Sequence, residues 1–294
     1  MNKLCLYSIV LYFIFFFFAI VDLNLYFNVI DQLFYYIFIS LFFYLIILLI
    51  IRRFIYIPFV ILLLSLGHHK FFYNSNTLIQ TKIENPNILK VVTFNLNFYN
   101  NHFDSNFFLK NQNYLKDIYC FQEVSKDNYN KIITELSDYY KSHNSKEVNK
   151  WSSVIFSKHK LLNTKVHDNH TISYIKIKDF KFVIVCTHFN IFEKNTIDKL
   201  NQIFNKVNSE NILLLGDLNS APYSFHFKKL IKLLNLKTFY HPIQSFNTWP
   251  SFLPNIMRIQ IDNLLFKGNF KFSRILIGKN NGSDHLPLFV DLEY

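Results

Sequence analysis

The sequence predicts an α/β domain behind a helical, strongly apolar leader, and three features carry that prediction. From Ile88 onward, short runs of buried-strand character alternate with amphipathic helical patterns. Several of those strands end in polar groups, as at Asn95, at Thr187-His188 and at Gly216-Asp217-Leu218-Asn219. Open α/β sheets bind ligands just beyond such ends. The first seventy residues, by contrast, are mostly Leu, Ile, Phe and Tyr.

The leader divides into apolar runs at residues 4–21, 33–51 and 54–67. The first two approach the roughly 20 residues that a helix needs to cross a bilayer. The third is shorter and contains Pro58, so it would span with its aromatic flanks or by thinning the lipid. Lys3 precedes an apolar core as in a cleaved signal, yet no small-residue cleavage site follows and a second run arrives at once. Lys3 and Arg52-Arg53 flank the runs, while 22–32 holds no Lys or Arg, which puts the N terminus and the Arg pair on the cytoplasmic side. Three spans then make a multi-pass membrane protein with an extracytoplasmic catalytic domain; two would leave that domain inside. The expected organisation is a transmembrane region over 1–70, a linker over 71–87 and a domain over 88–294.

Of 31 Lys and Arg and 20 Asp and Glu, only four and two fall within the first seventy residues, so the domain keeps an excess of nine positive charges. Such an excess fits nucleic acid or lipid headgroups, and equally a Lys-rich solvated surface. Cys5, Cys120 and Cys186 are an odd set, which suggests neither a disulfide framework nor a metal cluster.

Within the domain, strands are expected at Leu89–Phe94, Asp117–Phe121, Ser153–Phe156, Thr171–Lys178, Lys181–Cys186, Ile261–Phe266, Phe270–Ile277 and Leu286–Leu292, besides Leu213–Leu215. Helices are expected at Asn106–Lys116, Asp127–Tyr139, Thr196–Val207 and Ser224–Leu234. In Thr196–Val207 one face carries Ile197, Leu200, Ile203, Phe204 and Val207.

Cleaving a phosphodiester requires neutralising charge on its oxygens, generating an in-line nucleophile and stabilising the leaving oxygen. Glu123 ends a hydrophobic strand and is the best single candidate for holding a hard cation. Asp217 and Asn219 are two apart and can share one side of an extended strand end, the acid to activate water and the amide to hold a phosphate oxygen. Asp284-His285, with Asp262 upstream, could fix an imidazole in one tautomer. Each of these alone is as well explained by a satisfied turn or a surface side chain.

Together they resemble a family. Thr93-Phe94-Asn95-Leu96-Asn97, Phe121-Gln122-Glu123, Thr187-His188-Phe189-Asn190, Gly216-Asp217-Leu218-Asn219, Ile261-Asp262 and Ser283-Asp284-His285 stand in the order of the endonuclease/exonuclease/phosphatase (DNase I-like) superfamily. The resemblance implies a four-layer α/β/β/α sandwich and Mg²⁺- or Mn²⁺-dependent phosphoester hydrolysis. It implies Glu123 as metal ligand with Asn95 and Asp284 supporting metal and phosphate, Asp217 acting on water and Asn219 holding phosphate. His285 would contact the scissile phosphate, oriented by Asp262, and His188 and Asn190 would line the substrate cleft. Asn97 stands where some nucleases of the family carry an acid, which leaves a second metal ligand open. Asn263 follows Asp262 where many members have His or Tyr. The segment Ser245–Arg258, with Thr248-Trp249-Pro250-Ser251, resembles bacterial membrane-anchored members, and Trp249 reads as a packed loop anchor ahead of a base-stacking platform. The expectation is thus a membrane-anchored phosphodiesterase, first a nuclease, alternatively a phosphatase or phospholipase C-like enzyme of lipid headgroups, and in a different class an inactive membrane-bound interaction module.

Overall fold

The computed structural model describes residues 7–14, 25–72, 86–105, 116–136, 152–167, 169–190, 195–207, 209–239 and 246–294. Residues 106–115 of the helix expected at Asn106–Lys116, and residues 73–85 of the linker expected over 71–87, lie outside the described residues; residues 71 and 72, expected in that linker, belong to the last helix of the leader.

The leader is helical. Residues 7–14 form one helix; α1 spans Leu25–Ile50, a 3₁₀ turn covers Phe54–Tyr56 and α2 spans Ile57–Phe72. One expectation is corrected: the segment 22–32 is helical from Leu25 rather than a loop. Pro58 sits in the first turn of α2, where its missing N–H has no intrahelical partner to lose. Ser8 and Tyr44 share a hydrogen bond of 2.7 Å and Tyr12 donates to Ser40 at 3.1 Å. As the first number rises the second falls, so helix 7–14 runs antiparallel to α1. Leu41, Leu48, Val60 and Leu63 bury against one another between the helices. Side chains of α1 are described from Tyr35 on, and among the described residues no helix is long and apolar enough to cross a membrane.

The domain is built from two mixed five-stranded sheets. Sheet one is ordered β3-β2-β1-β10-β9, comprising β1 (Ile88–Asn95), β2 (Ile118–Gln122), β3 (Ser153–Ser157), β9 (Lys271–Ile277) and β10 (Leu288–Glu293). Sheet two is ordered β4-β5-β6-β7-β8, comprising β4 (Leu161–Val166), β5 (His170–Ile177), β6 (Phe180–His188), β7 (Ile212–Asp217) and β8 (Asp262–Lys267). β1 and β2 are parallel, as are β6 and β7; the other pairs are antiparallel.

Because strand side chains alternate, each sheet buries one set of residues inward and another outward. Val91, Ile118, Ile155, Ile184, Leu213, Leu215, Leu264 and Val290 meet between the sheets. The outer face of sheet one packs Val92, Tyr119 and Val154 under Tyr129, Ile132 and Leu136 of α3 (Lys126–Leu136). The outer face of sheet two packs Val183, Val185 and Leu214 under Ile197, Leu200 and Phe204 of α4 (Thr196–Lys206), and under Phe227 and Leu230 of α5 (Phe225–Leu234). The four expected layers are therefore present.

Cys120 of β2 and Cys186 of β6 form a disulfide across the two sheets. This corrects the reading of the three cysteines: two strands remote in sequence become neighbours only when the sheets stack. Strand β4 was not anticipated, since its exposed, polar-rich Leu161–Val166 gives no core pattern.

Candidate active site

The two parallel strand pairs sit at the middle of the sandwich and end at the same rim. Asn95 ends β1 beside Gln122, and in the other sheet His188 and Asp262 flank Asp217. Gly216 makes that last alignment possible. It has φ +146°, and a Cβ there would lie 1.8 Å from the Thr187 carbonyl oxygen, so β6 and β7 approach more closely than any side-chain-bearing residue permits.

One amide ties the sheets together at the rim. Asn95 Nδ2 donates to Glu123 Oε1 at 3.1 Å and to Asp217 Oδ2 at 2.9 Å. The Asn95 oxygen is taken by the backbone N–H of Asn97, so Asn95 bridges two carboxylates through its nitrogen. The Asn219 backbone N–H donates to the second Asp217 oxygen at 2.8 Å, and Asn219 Nδ2 donates to Phe189 O at 2.9 Å. His188 Nε2 stands 3.5 Å from Glu123 Oε1, 3.6 Å from Asp217 Oδ2 and 3.3 Å from Asn219 Nδ2. Asn97, Glu123 and Asn219 all have positive φ, at 59°, 51° and 44°. Asn tolerates that left-handed region, whereas Glu holds it only where surroundings impose it.

Behind Asp217 lies an ion pair. His285 Nδ1 meets Asp262 Oδ2 at 2.9 Å, the same oxygen accepts from Thr248 Oγ1 at 2.5 Å, and His285 Nε2 faces Asp217 Oδ2 at 3.7 Å. Asp262 Oδ1 is buried with no hydrogen-bond partner among the described residues. Burial alone would lower the His285 pKa, but Asp262 and Asp217 more than offset it and raise it to about 10, so the ring is an imidazolium at neutral pH. Burial, with Asp262 adding to it, raises Asp217 to about 7 against the opposing pull of His285 and of the hydrogen bonds from Asn219 and Asn95.

Asp284 is at the edge of this group. Its Oδ1 accepts from Asn97 Nδ2 at 2.7 Å and its Oδ2 from the Trp249 indole at 3.2 Å. Trp249 is half-buried and pairs with Ile259 through its backbone, as a packed anchor would. Asn190 is half-buried two residues past His188. The structure thus brings Asn95, Glu123, His188, Asp217, Asn219, Asp262 and His285 into one cluster, with Asp284 reaching it through Asn97. Sequence reasoning missed the parts of Thr248, Asn97 and Ser283, whose hydroxyl donates to Asn95 O at 2.7 Å. Thr248 and Asn97 lay in segments already singled out, yet only spatial contact reveals which group each one holds.

The donors suit a hard divalent cation, being carboxylates and amides in place of thiolates. Asp217, Asp262 and His285 place ligand-capable atoms within 4.8 Å of one another. Those groups are all buried, however, and one of the two carboxylates is already paired with the His285 ring. Glu123 keeps 19% of its side chain exposed, which leaves room for the waters that Mg²⁺ retains. Glu123 is thus the more open of the clustered carboxylates.

A search of curated protein sequences finds no match. Among solved structures, sphingomyelinase C from Streptomyces griseocarneus aligns with TM-score 0.51 and 14% identity over 70% of this chain and 99% of its own. A beta toxin variant from Staphylococcus aureus with bound magnesium ions aligns with TM-score 0.54 and 14% identity over 69% and 99%. The AP endonuclease LMAP from Leishmania major aligns with TM-score 0.55 and 11% identity over 70% and 88%. At these identities the likeness is one of fold. The family model of the endonuclease/exonuclease/phosphatase family matches residues 92–285, a stretch that takes in every clustered side chain described above, and the chain belongs to that family.

Proposed function

We propose that this family hydrolase is a membrane-attached, divalent-metal-dependent phosphodiesterase. The observation that carries the reading is the hydrogen-bonded chain Glu123–Asn95–Asp217 set against the Asp262–His285 ion pair, which joins both sheets at one rim. A divalent cation on Glu123, with Asp284 supporting it, would neutralise charge on the phosphate oxygens. Asp217, fixed by Asn95 and the Asn219 N–H, orients an incoming water and takes its proton; a pKa of about 7 suits a general base near neutral pH. The His285 imidazolium, held by Asp262, supplies a fixed positive charge to the phosphate. His188 and Asn219 stand beside the same opening and add N–H donors.

Membrane attachment is supported by the leader's composition and by its exposed apolar surface, which includes Phe42, Phe43, Ile46, Ile47, Phe54, Ile55, Phe59 and Ile61. The Arg52-Arg53 turn lies at one end of the antiparallel helices, while the other end touches the domain, for Tyr35 donates to Ile256 O at 2.6 Å. By the positive-inside rule the Arg end is cytoplasmic and the domain extracytoplasmic. The Cys120–Cys186 disulfide supports the same side, since disulfides persist in oxidising compartments. The domain's basic excess fits a polyanionic substrate, and nucleic acid and lipid headgroups both qualify.

The test is hydrolysis of the soluble diester bis(p-nitrophenyl) phosphate by the full-length protein with Mg²⁺ or Mn²⁺ and then EDTA. Turnover is expected to stop on chelation. Asp217→Asn should lower kcat about 10²–10⁴-fold, and Glu123→Gln should raise the metal concentration needed for half-maximal rate. Metal-independent turnover, or full activity in Asp217→Asn, would refute the reading.

A further inference from the structure

Two loops that carry site residues also touch the helical leader. One runs from Asp217 and Asn219 to Ala221 and Tyr223, which are buried in the same cluster as Leu41, Leu48 and Val60 of the leader. The other runs from Thr248 and Trp249 to Ile256 and Met257, whose carbonyls accept from the Tyr35 and Tyr36 hydroxyls at 2.6 and 2.9 Å. The leader is therefore docked on the loops that carry the site residues.

The surface next to that dock is apolar and basic. Helix α5, which lies against α1, exposes Phe225, Lys229, Lys232 and Leu233. Those positions are i, i+4, i+7 and i+8, one helical face. The Phe252–Met257 loop, which touches the same leader helix through Tyr35 and Tyr36, exposes Phe252 at 77%, Ile256 at 69% and Met257 at 44%. Large aromatics and aliphatics mixed with Lys on one face are the composition of a surface that settles into the headgroup boundary. The Phe252–Met257 loop is hydrogen-bonded to the Tyr35-Tyr36 pair, and paired tyrosines are the residues that sit at a membrane boundary.

We propose that the docked end of the leader, the Phe225/Lys229/Lys232/Leu233 face of α5 and the Phe252–Met257 loop form one seat on an anionic phospholipid bilayer, which turns the cleft toward phosphoesters of lipid headgroups. This inference rests on the phosphodiesterase reading above and names its substrate class. It also weighs against nucleic acid. A duplex is stiff over about 150 base pairs and would have to enter between the domain and a bilayer that lies against the loops carrying the site residues.

The experiment uses full-length protein in vesicles of phosphatidylcholine with phosphatidylglycerol and reads two substrates together, headgroup release from the vesicle and hydrolysis of bis(p-nitrophenyl) phosphate. The double variant Lys229→Glu/Lys232→Glu removes two cations from an anionic surface and should cut headgroup release at least about tenfold, with the soluble rate unchanged. Phe252→Trp should give indole fluorescence quenched by brominated lipid. Undiminished headgroup release in the charge variant, an unquenched indole, or cleavage of DNA with no headgroup release would each overturn the seat. Loss of the soluble activity in the unsubstituted protein would instead refute the phosphodiesterase reading, and the quenching measurement would still decide whether the seat exists.

Discussion

At the scale of single residues, the rim depends on positions whose conformation or charge is imposed by neighbours. Gly216 is the sharpest case, because a methyl group there would overlap the Thr187 carbonyl. Gly216→Ala is expected to cost about 3 kcal/mol or more in a denaturant titration and to lower activity as well, since β6 and β7 carry His188 and Asp217. His226 provides a pH test. Burial, with Lys229 adding to it, lowers its pKa from 6.5 to about 4, and the ring lies beside Phe189 with Nδ1 3.1 Å from Ser220 Oγ. The unfolded chain takes up this proton near 6.5 while the folded chain waits until about 4. Folding stability from this group is therefore intact above about 6.5 and is lost as pH falls toward about 4. Unfolding midpoints measured across that window should slope less in His226→Gln than in the unsubstituted chain. Asp217 and Glu123 stood out from the sequence through their strand-end settings. The amide bridge of Asn95, the hold of Thr248 on Asp262 and the Asn97–Asp284 contact join segments far apart in the chain, and no local pattern encodes them.

At the scale of elements, helix α5 is both a layer of the fold and a neighbour of the leader. It begins at Ser224, whose hydroxyl accepts from the Phe227 N–H at 3.2 Å, and ends with Asn235 in the left-handed conformation. Ser224→Ala should destabilise by about 1 kcal/mol in thermal or denaturant unfolding. Its effect on headgroup release should exceed its effect on the soluble diester, because fraying would disturb Phe225 and its neighbours first. Most strands and helices were legible because their apolar periodicity is strong, and boundaries moved by a residue or two. β4 escaped because an exposed edge strand has no core face to write into its sequence. The helical start of α1 was hidden because Asp22, Asn24, Asn28 and Asp31 read as a polar break, whereas a helix can carry isolated polar side chains without interrupting its hydrogen bonds.

At the scale of the whole molecule, the sheets are coupled by packing, by the Asn95 bridge and by the Cys120–Cys186 bond, which closes a sequence separation of 66. A loop of that size constrains the unfolded chain, so replacing both cysteines with Ala should lower stability by about 4 kcal/mol. Comparison of the double variant with the reduced and oxidised parent in denaturant would measure it. Reduction should also diminish hydrolysis to the extent that the two sheets shift, since each contributes half of the rim. By itself the sequence determined the apolar leader, the alternation that makes an α/β domain, and the chemical types of the groups at the strand ends, because periodicity and composition are properties of neighbouring residues. Only the tertiary structure decided that β2 and β6 lie close enough for a disulfide, that Asn95 joins Glu123 to Asp217, and that the leader docks on the loops that follow the site strands. Those are contacts between distant segments, fixed by how two twisted sheets stack and by which faces are left to cover.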